Sequence, residues 1–181
     1  HLSIRRQRQM CIRDSYAAVR CAIAGNIIDY GAQHRFDDME ALRDCMEKEL
    51  CIDEFGLLEN EINDRGKLNI LYLADNCGEI IFDSLLVEQL LRLGHEVILV
   101  VRGGVILNDA TMREVVETGI DSLCRVMSSG SPCPGTPLGS CSDELRQAFT
   151  RADLIISKGQ GNFETLSEVD RPVYFLSLIH I

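Results

Sequence analysis

From Lys67 onward the apolar residues of this chain fall into short runs that alternate with longer segments of helical spacing. "LNILYLA" (68–74) has the pattern of a buried strand, and "GEIIFDSLLVEQLLRLG" (78–94) carries apolar positions every three or four residues and closes on Gly94. "EVILVV" (96–101) is the next strand. The alternation continues with "ATMREVVETG" as helix, "CRVMSS" as strand, "SDELRQAFTRA" as helix, "DLIIS" as strand, "ETLSEV" as a short helix and "PVYFL" as strand. Strands separated by helices of this length predict βαβ units with right-handed crossovers. The fold class is therefore α/β, a three-layer, Rossmann-like, mostly parallel sheet. Upstream, "YAAVRCAIAGNIIDY" (16–30) places Ala17, Ala18, Cys21, Ala22 and Ile23 at helical spacing. "FDDMEALRDCMEKEL" (36–50) opens with Asp37 and Glu40 at capping-box spacing and carries a stripe of Met39, Leu42, Cys45, Met46 and Leu50. The plan is a small helical N-terminal part, residues 16–66, on a Rossmann-like domain, residues 67–176.

Both ends break the pattern. "HLSIRRQRQMCIRDS" is basic and without periodicity in an otherwise acidic chain, and "LSLIHI" interrupts the strand-like "RPVYF". Residues 1–15 and 177–181 are expected to be foreign to the fold, which makes the chain an internal fragment.

Charge narrows the partners. Eighteen basic against 28 acidic side chains give a formal net charge of -10. That is the wrong sign for holding a phosphate backbone, so no nucleic-acid partner is expected. An anionic substrate would have to be drawn in locally, by a bound cation or a lysine. The longest apolar runs are strand-sized, well short of the roughly 20 residues of a membrane span, so no membrane association is expected. The eight cysteines sit singly in apolar segments with no C-x-x-C pair, which points to free thiols in a reducing, cytoplasmic compartment. The chemistry of the carboxyl ends of the strands carries more.

In an open parallel sheet, ligands bind in the crevice beyond those ends. The first strand ends in Asp75 and Asn76, and the second leads through "VRGGVILNDAT" to Asn108 and Asp109. The third ends at Ser128 in "SSGSPCPGT", and the fourth ends in Lys158, followed by Gly159 and Asn162 of "KGQGN". Two carboxylates, two carboxamides, an ammonium and several glycines converge on one edge. Such a set suits a hard divalent cation, Mn²⁺, Mg²⁺, Co²⁺ or Ni²⁺, which takes a few protein oxygens and leaves positions for water and substrate phosphate. Asp75, Asn76 and Asp109 are the candidate metal ligands. Lys158 would neutralise phosphate oxygens, and amides at the Gly78 helix start and in the glycine loops would hold the phosphate. Glu79, one turn into that helix, would position a water or a ligand.

Each feature also has a bland reading. Asp75 and Asn76 could cap the following helix, and Asp109 could be the N-cap of "ATMREVV". Lys158 could be a surface residue, and Asp83 reads as solvent-facing or as a helical partner. Most cysteines read as core filler, and His34 and His95 are assigned no role. "DNCGEI" stands where a dinucleotide fingerprint would need G-x-G-x-x-G, so that class of cofactor is not expected. Convergence of the polar groups favours the metal.

These residues resemble a known family. "AGNIIDYG", "YLADNCGEIIFD", "ILNDAT", "PGTPLGSCSDEL" and "ADLIISKGQGNFETL" occur in the same order as in the damage-control metal phosphatases, also called domain of unknown function 89. The likeness runs from about Tyr16 to Phe175. It implies a Rossmann-like domain with a helical N-terminal part and divalent-metal-dependent hydrolysis of phosphate monoesters, sugar phosphates or damaged phosphometabolites. Carried over, the family's metal ligands match Asp75, Asn76 and Asp109, and its phosphate-side lysine matches Lys158. Asn26 and Asp29 match a motif on the substrate side of the cleft. Two features depart from the pattern: the chain stops within its last strand, and Cys133 stands where the family has a non-thiol residue. The competing reading is a non-catalytic module that binds a nucleotide or phosphometabolite in the same crevice. A methyltransferase lacks support because no glycine-rich loop follows the first strand.

Overall fold

The structure is a computed structural model, and it describes residues 14–25, 47, 50 and 52–177. Five strands form one sheet: β1 (Asn69–Leu73), β2 (Glu96–Val101), β3 (Arg125–Ser128), β4 (Leu154–Lys158) and β5 (Tyr174–Leu176). The order across the sheet is β3-β2-β1-β4-β5 and every pair is parallel. Leu73, near the end of β1, stands opposite Val100 on one side and Ser157 on the other.

Side chains alternate between two faces, as pleating requires. Ile70, Tyr72, Val97, Leu99, Val101, Leu154 and Ile156 point to one face. There they meet a helix over residues 14–25 (α1), α2 (Phe55–Asp64), α3 (Ile80–Arg92) and α4 (Met112–Thr118). Leu71, Leu73, Val100 and Ile155 point to the other face, against α5 (Asp143–Arg151) and α6 (Gln160–Leu166). The result is the expected α/β, Rossmann-like sandwich. Central strands covered on both faces explain why their sequences read as unbroken apolar runs. Among the described residues no helix is long and apolar enough to cross a membrane.

Several boundaries differ from the sequence reading. Residues 14 and 15 lie in α1, and the Ser15 hydroxyl accepts a bond from Gln89 Nε2 at 3.3 Å. The helix over 55–64 was not anticipated; it is short, and only Leu58 and Ile62 are buried along it. The "ETLSEV" helix starts instead at Gln160 and ends at Leu166. Its "GQG" reads as loop in the sequence, yet Gly159 supplies a positive-φ pivot (φ 76°) that lets the helix start at the next residue. Most of the segment 36–50, with Asn26, Asp29 and His34, lies outside the described residues. His95 is buried, and its Nδ1 accepts the Leu68 amide at 3.2 Å.

The strand order reverses between β1 and β4, because β2 and β3 are laid down to one side of β1 and β4 and β5 to the other. That reversal opens the crevice in which doubly wound folds hold ligands, at the carboxyl ends of β1 and β4.

Candidate functional site

Backbone pairing explains how residues far apart in sequence meet at that crevice. After β2 the chain loops out and returns, so that Cys77 N donates to Asn108 O at 2.7 Å and Ala110 N donates to Asp75 O at 2.7 Å. An isolated antiparallel bridge pairs Asn76 with Asp109 directly. Neither acid caps a helix. The N-cap of α3 is Glu79 and the N-cap of α4 is Thr111, which forms a full capping box with Glu114. Asp75, Asn76 and Asp109 are therefore brought together and left for other work.

Arg102, the first residue after β2, joins the two carboxylates. Its Nε donates to Asp109 Oδ2 at 2.5 Å and its Nη2 to Asp75 Oδ1 at 3.3 Å. Nη1 donates to Thr136 Oγ1 at 3.3 Å and to Asn162 Oδ1 at 3.2 Å. Sequence reasoning passed over both Arg102 and Thr136.

A second charged cluster lies under the first. The Lys158 ammonium is fully buried and donates to Glu79 Oε2 at 2.5 Å and Asp83 Oδ1 at 2.8 Å. Tyr72 OH also donates to Asp83 Oδ1, at 2.7 Å. Asp83 is thus neither solvent-facing nor a partner within its own helix, because strands β1 and β4 deliver a phenol and an ammonium to it. Lys158 is no surface residue either. Burial alone would lower the Lys158 pKa, but Asp83 and Glu79 outweigh it and hold the ammonium protonated above its usual range. Asn76 Nδ2 donates to Glu79 Oε1 at 2.7 Å, which ties the two clusters together and turns the carboxamide oxygen of Asn76 away from Glu79.

Four carboxylates, Asp75, Glu79, Asp83 and Asp109, face two cations, Arg102 and Lys158. An uncompensated buried charge costs several kcal/mol, more than the roughly 1.5–3 kcal/mol gained by burying one large apolar side chain. The imbalance has a visible consequence. Burial first, and then the Glu79 and Asp109 charges, push the Asp75 carboxyl up to about 7 despite Arg102 and Lys158, and burial likewise raises Glu79. A divalent cation would cancel the excess. Among the described residues no three His, Cys, Asp or Glu side chains form a ready cage. Two carboxylates and a carboxamide would be the donors, a set that fits a hard ion retaining water and substrate oxygens as its other ligands. Gly159 adds a steric condition: a Cβ there would stand 1.8 Å from Asp75 Oδ2. Only glycine lets the β4 to α6 turn lie against this carboxylate.

Comparison with known proteins agrees with the fold. The family model described as the damage-control phosphatase ARMT1-like domain matches residues 4–179. The chain belongs to the damage-control phosphatase ARMT1-like family. It is 41% identical over 166 residues to a damage-control phosphatase of Pyrococcus horikoshii, covering 90% of this chain and 57% of that protein. It is 41% identical over 163 residues to an uncharacterized protein of Methanocaldococcus jannaschii, covering 87% and 54%. A damage-control phosphatase of Archaeoglobus fulgidus is 34% identical, with coverage of 88% and 56%. The crystal structure of a family member from Pyrococcus horikoshii superposes with a TM-score of 0.81 at 36% identity, covering 93% of this chain and 64% of that one. The chain thus spans little more than half the length of the curated relatives it matches. The matched range takes in most of the opening and closing stretches that their composition sets apart.

The remaining candidates take varied places in this ARMT1-like chain. Asn162 is fully buried; its Oδ1 accepts from Arg102 and Thr136, and its Nδ2 donates to Ala74 O at 3.2 Å and Lys158 O at 2.8 Å. It ties the ends of β1 and β4 to Arg102 rather than reaching into the crevice. The Gly159 amide donates to Leu176 O at 3.3 Å and is not free for a phosphate. Ser128 Oγ accepts the Gly130 amide at 3.1 Å in the turn after β3. Gly78 sits half-buried between Cys77 and Glu79, whose amides go to Asn108 O and Asn76 O. Cys77 and Cys133 are half-buried and neither is in a disulfide.

Proposed function

We propose that the crevice beyond β1 and β4 is the metal centre of a phosphatase acting on small phosphorylated metabolites, such as sugar phosphates or damaged phosphometabolites. Asp75, Asn76 and Asp109 would hold Mn²⁺, Mg²⁺, Co²⁺ or Ni²⁺. The observation that carries this reading is the excess of buried carboxylates over buried cations at the switch point of the sheet. When bound, such a cation polarises a phosphoryl group and activates water as a nucleophile.

The chain's own residues prepare the site. The Asp75 carboxyl, pushed up to about 7 despite Arg102, is only about half ionised near that pH in the metal-free site and would ionise fully against a bound divalent cation. Glu79 orients the Asn76 oxygen through its bond to Nδ2, and Lys158 and Asp83 hold Glu79 in turn. Lys158 therefore acts through Glu79 and supplies positive potential under the site, in place of the direct phosphate contact expected from sequence. The substrate phosphate would lie toward Gly78 and the start of α3, where helix amides and the dipole favour an anion. The "damage-control phosphatase" names of two relatives support a phosphatase-type activity.

The test is hydrolysis of p-nitrophenyl phosphate by metal-stripped protein, then after resupply of each cation, beside Asp75→Ala and Asp109→Ala. Turnover restored by metal and absent in both variants is expected. A folded, metal-loaded chain that binds phosphate without turning substrate over would instead be a binding module.

A further inference from the structure

The role of Arg102 can be taken further, and the step rests on the metal reading above. The Arg102 side chain is 2% exposed, while those of Asp75 and Asp109 are 12% and 10% exposed. The guanidinium therefore lies behind the two carboxylates, on the protein side, and takes one oxygen from each. Its far edge is fixed by Thr136 Oγ1 and Asn162 Oδ1, and Thr136 Oγ1 is itself bonded to Asn162 Oδ1 at 2.7 Å. Asn162 is anchored in turn on Ala74 O and Lys158 O. We propose that Arg102 is a positioning residue: it fixes the span between Asp75 and Asp109 and thereby selects a small, octahedral cation over a larger one.

The chemistry follows from the shape of the group. A guanidinium is planar and rigid, with donors in a fixed fork, so one pinned along both edges acts as a spacer rather than as a diffuse charge. Mg²⁺ requires near-ideal octahedral geometry with short bonds, whereas Ca²⁺ accepts longer bonds and irregular ligand sets. Two carboxylates held at a set span discriminate between these ions; two that can swing do not. If Arg102 were only a counter-charge, the opposite would hold. Removing a cation beside two carboxylates would make the site more attractive to every divalent ion.

The test is calorimetric titration of metal-stripped protein with Mg²⁺ and with Ca²⁺, comparing wild type, Arg102→Lys, Arg102→Met and Thr136→Val. Both Arg102 variants should bind Mg²⁺ roughly 10–100-fold more weakly, the usual effect of losing a group that orients a metal ligand. Ca²⁺ binding should change less, so the Mg²⁺ preference narrows. Thr136→Val keeps the charge and loosens the far edge, so it should narrow the preference by a smaller factor. It also carries the test if the Arg102 variants do not fold. Tighter binding of both ions by Arg102→Met overturns the proposal, as does an unchanged preference in any folded variant, even though wild type still binds Mg²⁺. A wild type that binds neither Mg²⁺ nor Ca²⁺ overturns this proposal, and one that also binds none of Mn²⁺, Co²⁺ and Ni²⁺ overturns the metal reading with it.

Discussion

Gly159→Ala tests the site and the fold at one point. Gly159 has φ 76° and ψ 169°, a region occupied essentially by glycine, and placing another residue there costs about 1–3 kcal/mol. The new methyl would also stand 1.8 Å from Asp75 Oδ2 and 2.3 Å from its Cγ. No rotamer adjustment of an alanine relieves that contact, because its Cβ is fixed by the backbone. Either the Asp75 carboxylate leaves Arg102, or the turn between β4 and α6 moves and loses the bond from the Gly159 amide to Leu176 O. Removing one partner of a buried pair costs about 3–5 kcal/mol, and displacing one is a fraction of that. A destabilisation on the order of 3 kcal/mol is expected in total, which at a urea slope of about 1–3 kcal/mol per molar lowers the midpoint by roughly 1–3 M.

Gly119→Ala is the matched control. Gly119 also has a positive φ, 74°, but a Cβ there would meet nothing within 4 Å. It carries only the left-handed backbone cost of about 1–2 kcal/mol. Urea unfolding of both variants, followed by Mn²⁺ titration under native conditions, separates the two effects. Gly159→Ala should be the less stable and should bind metal weakly, while Gly119→Ala should bind it as wild type does. Equal midpoints with equal metal affinity would refute the argument that the β4 to α6 turn rests on the Asp75 carboxylate.

Other outcomes follow from the same geometry. The folded-state pKa of Asp75, about 7, lies above the value of about 3.9 for an unfolded aspartate. Its contribution to stability is therefore full below about pH 4 and is lost as pH rises toward 7. The melting temperature of metal-free wild type should fall across that window more steeply than that of Asp75→Asn; parallel curves would contradict it. Lys158→Met strands Glu79 and Asp83 without their counter-charge and should cost about 3–5 kcal/mol by urea unfolding, whereas a loss under about 1 kcal/mol would mean the ammonium is not buried between them. Thr111→Ala should cost about 1 kcal/mol through the lost cap and leave metal affinity unchanged. If that affinity fell as is expected for Asp109→Ala, the proposed division of labour between cap and ligand would be wrong.

The layered α/β fold was legible because its signal is local. A strand covered on both faces must be apolar at every position, and helices between such strands must carry a stripe, so βαβ alternation is written directly into the sequence. The ends of the strands told where polar groups would gather, and Asp75, Asn76, Asp109 and Lys158 do gather there. Arg102 was illegible for the opposite reason. An arginine just past an apolar strand looks like a solvent-facing end, and its two acid partners lie 27 residues upstream and 7 downstream. Only the parallel pairing of β1 with β2, and the return of the loop onto Asn76, makes them neighbours.

The sequence carries a stronger signal for Asp83 and Lys158 than that of a surface position. Asp83 falls three residues after Ile80 and four before Val87, both buried, so helical period alone sets it on the core-facing stripe of α3. Lys158 continues the alternation of Leu154 and Ile156, which sets it on the face of the sheet that α3 covers. A charge at a core position is costly unless an opposite charge meets it. Two such positions of opposite sign, on elements that pack against one another, are best read as one pair. Applied to this chain, that rule places Lys158 against α3 from the sequence alone. It also leaves the second acid, Glu79, one turn before Asp83, to link the buried pair to Asn76 and the crevice.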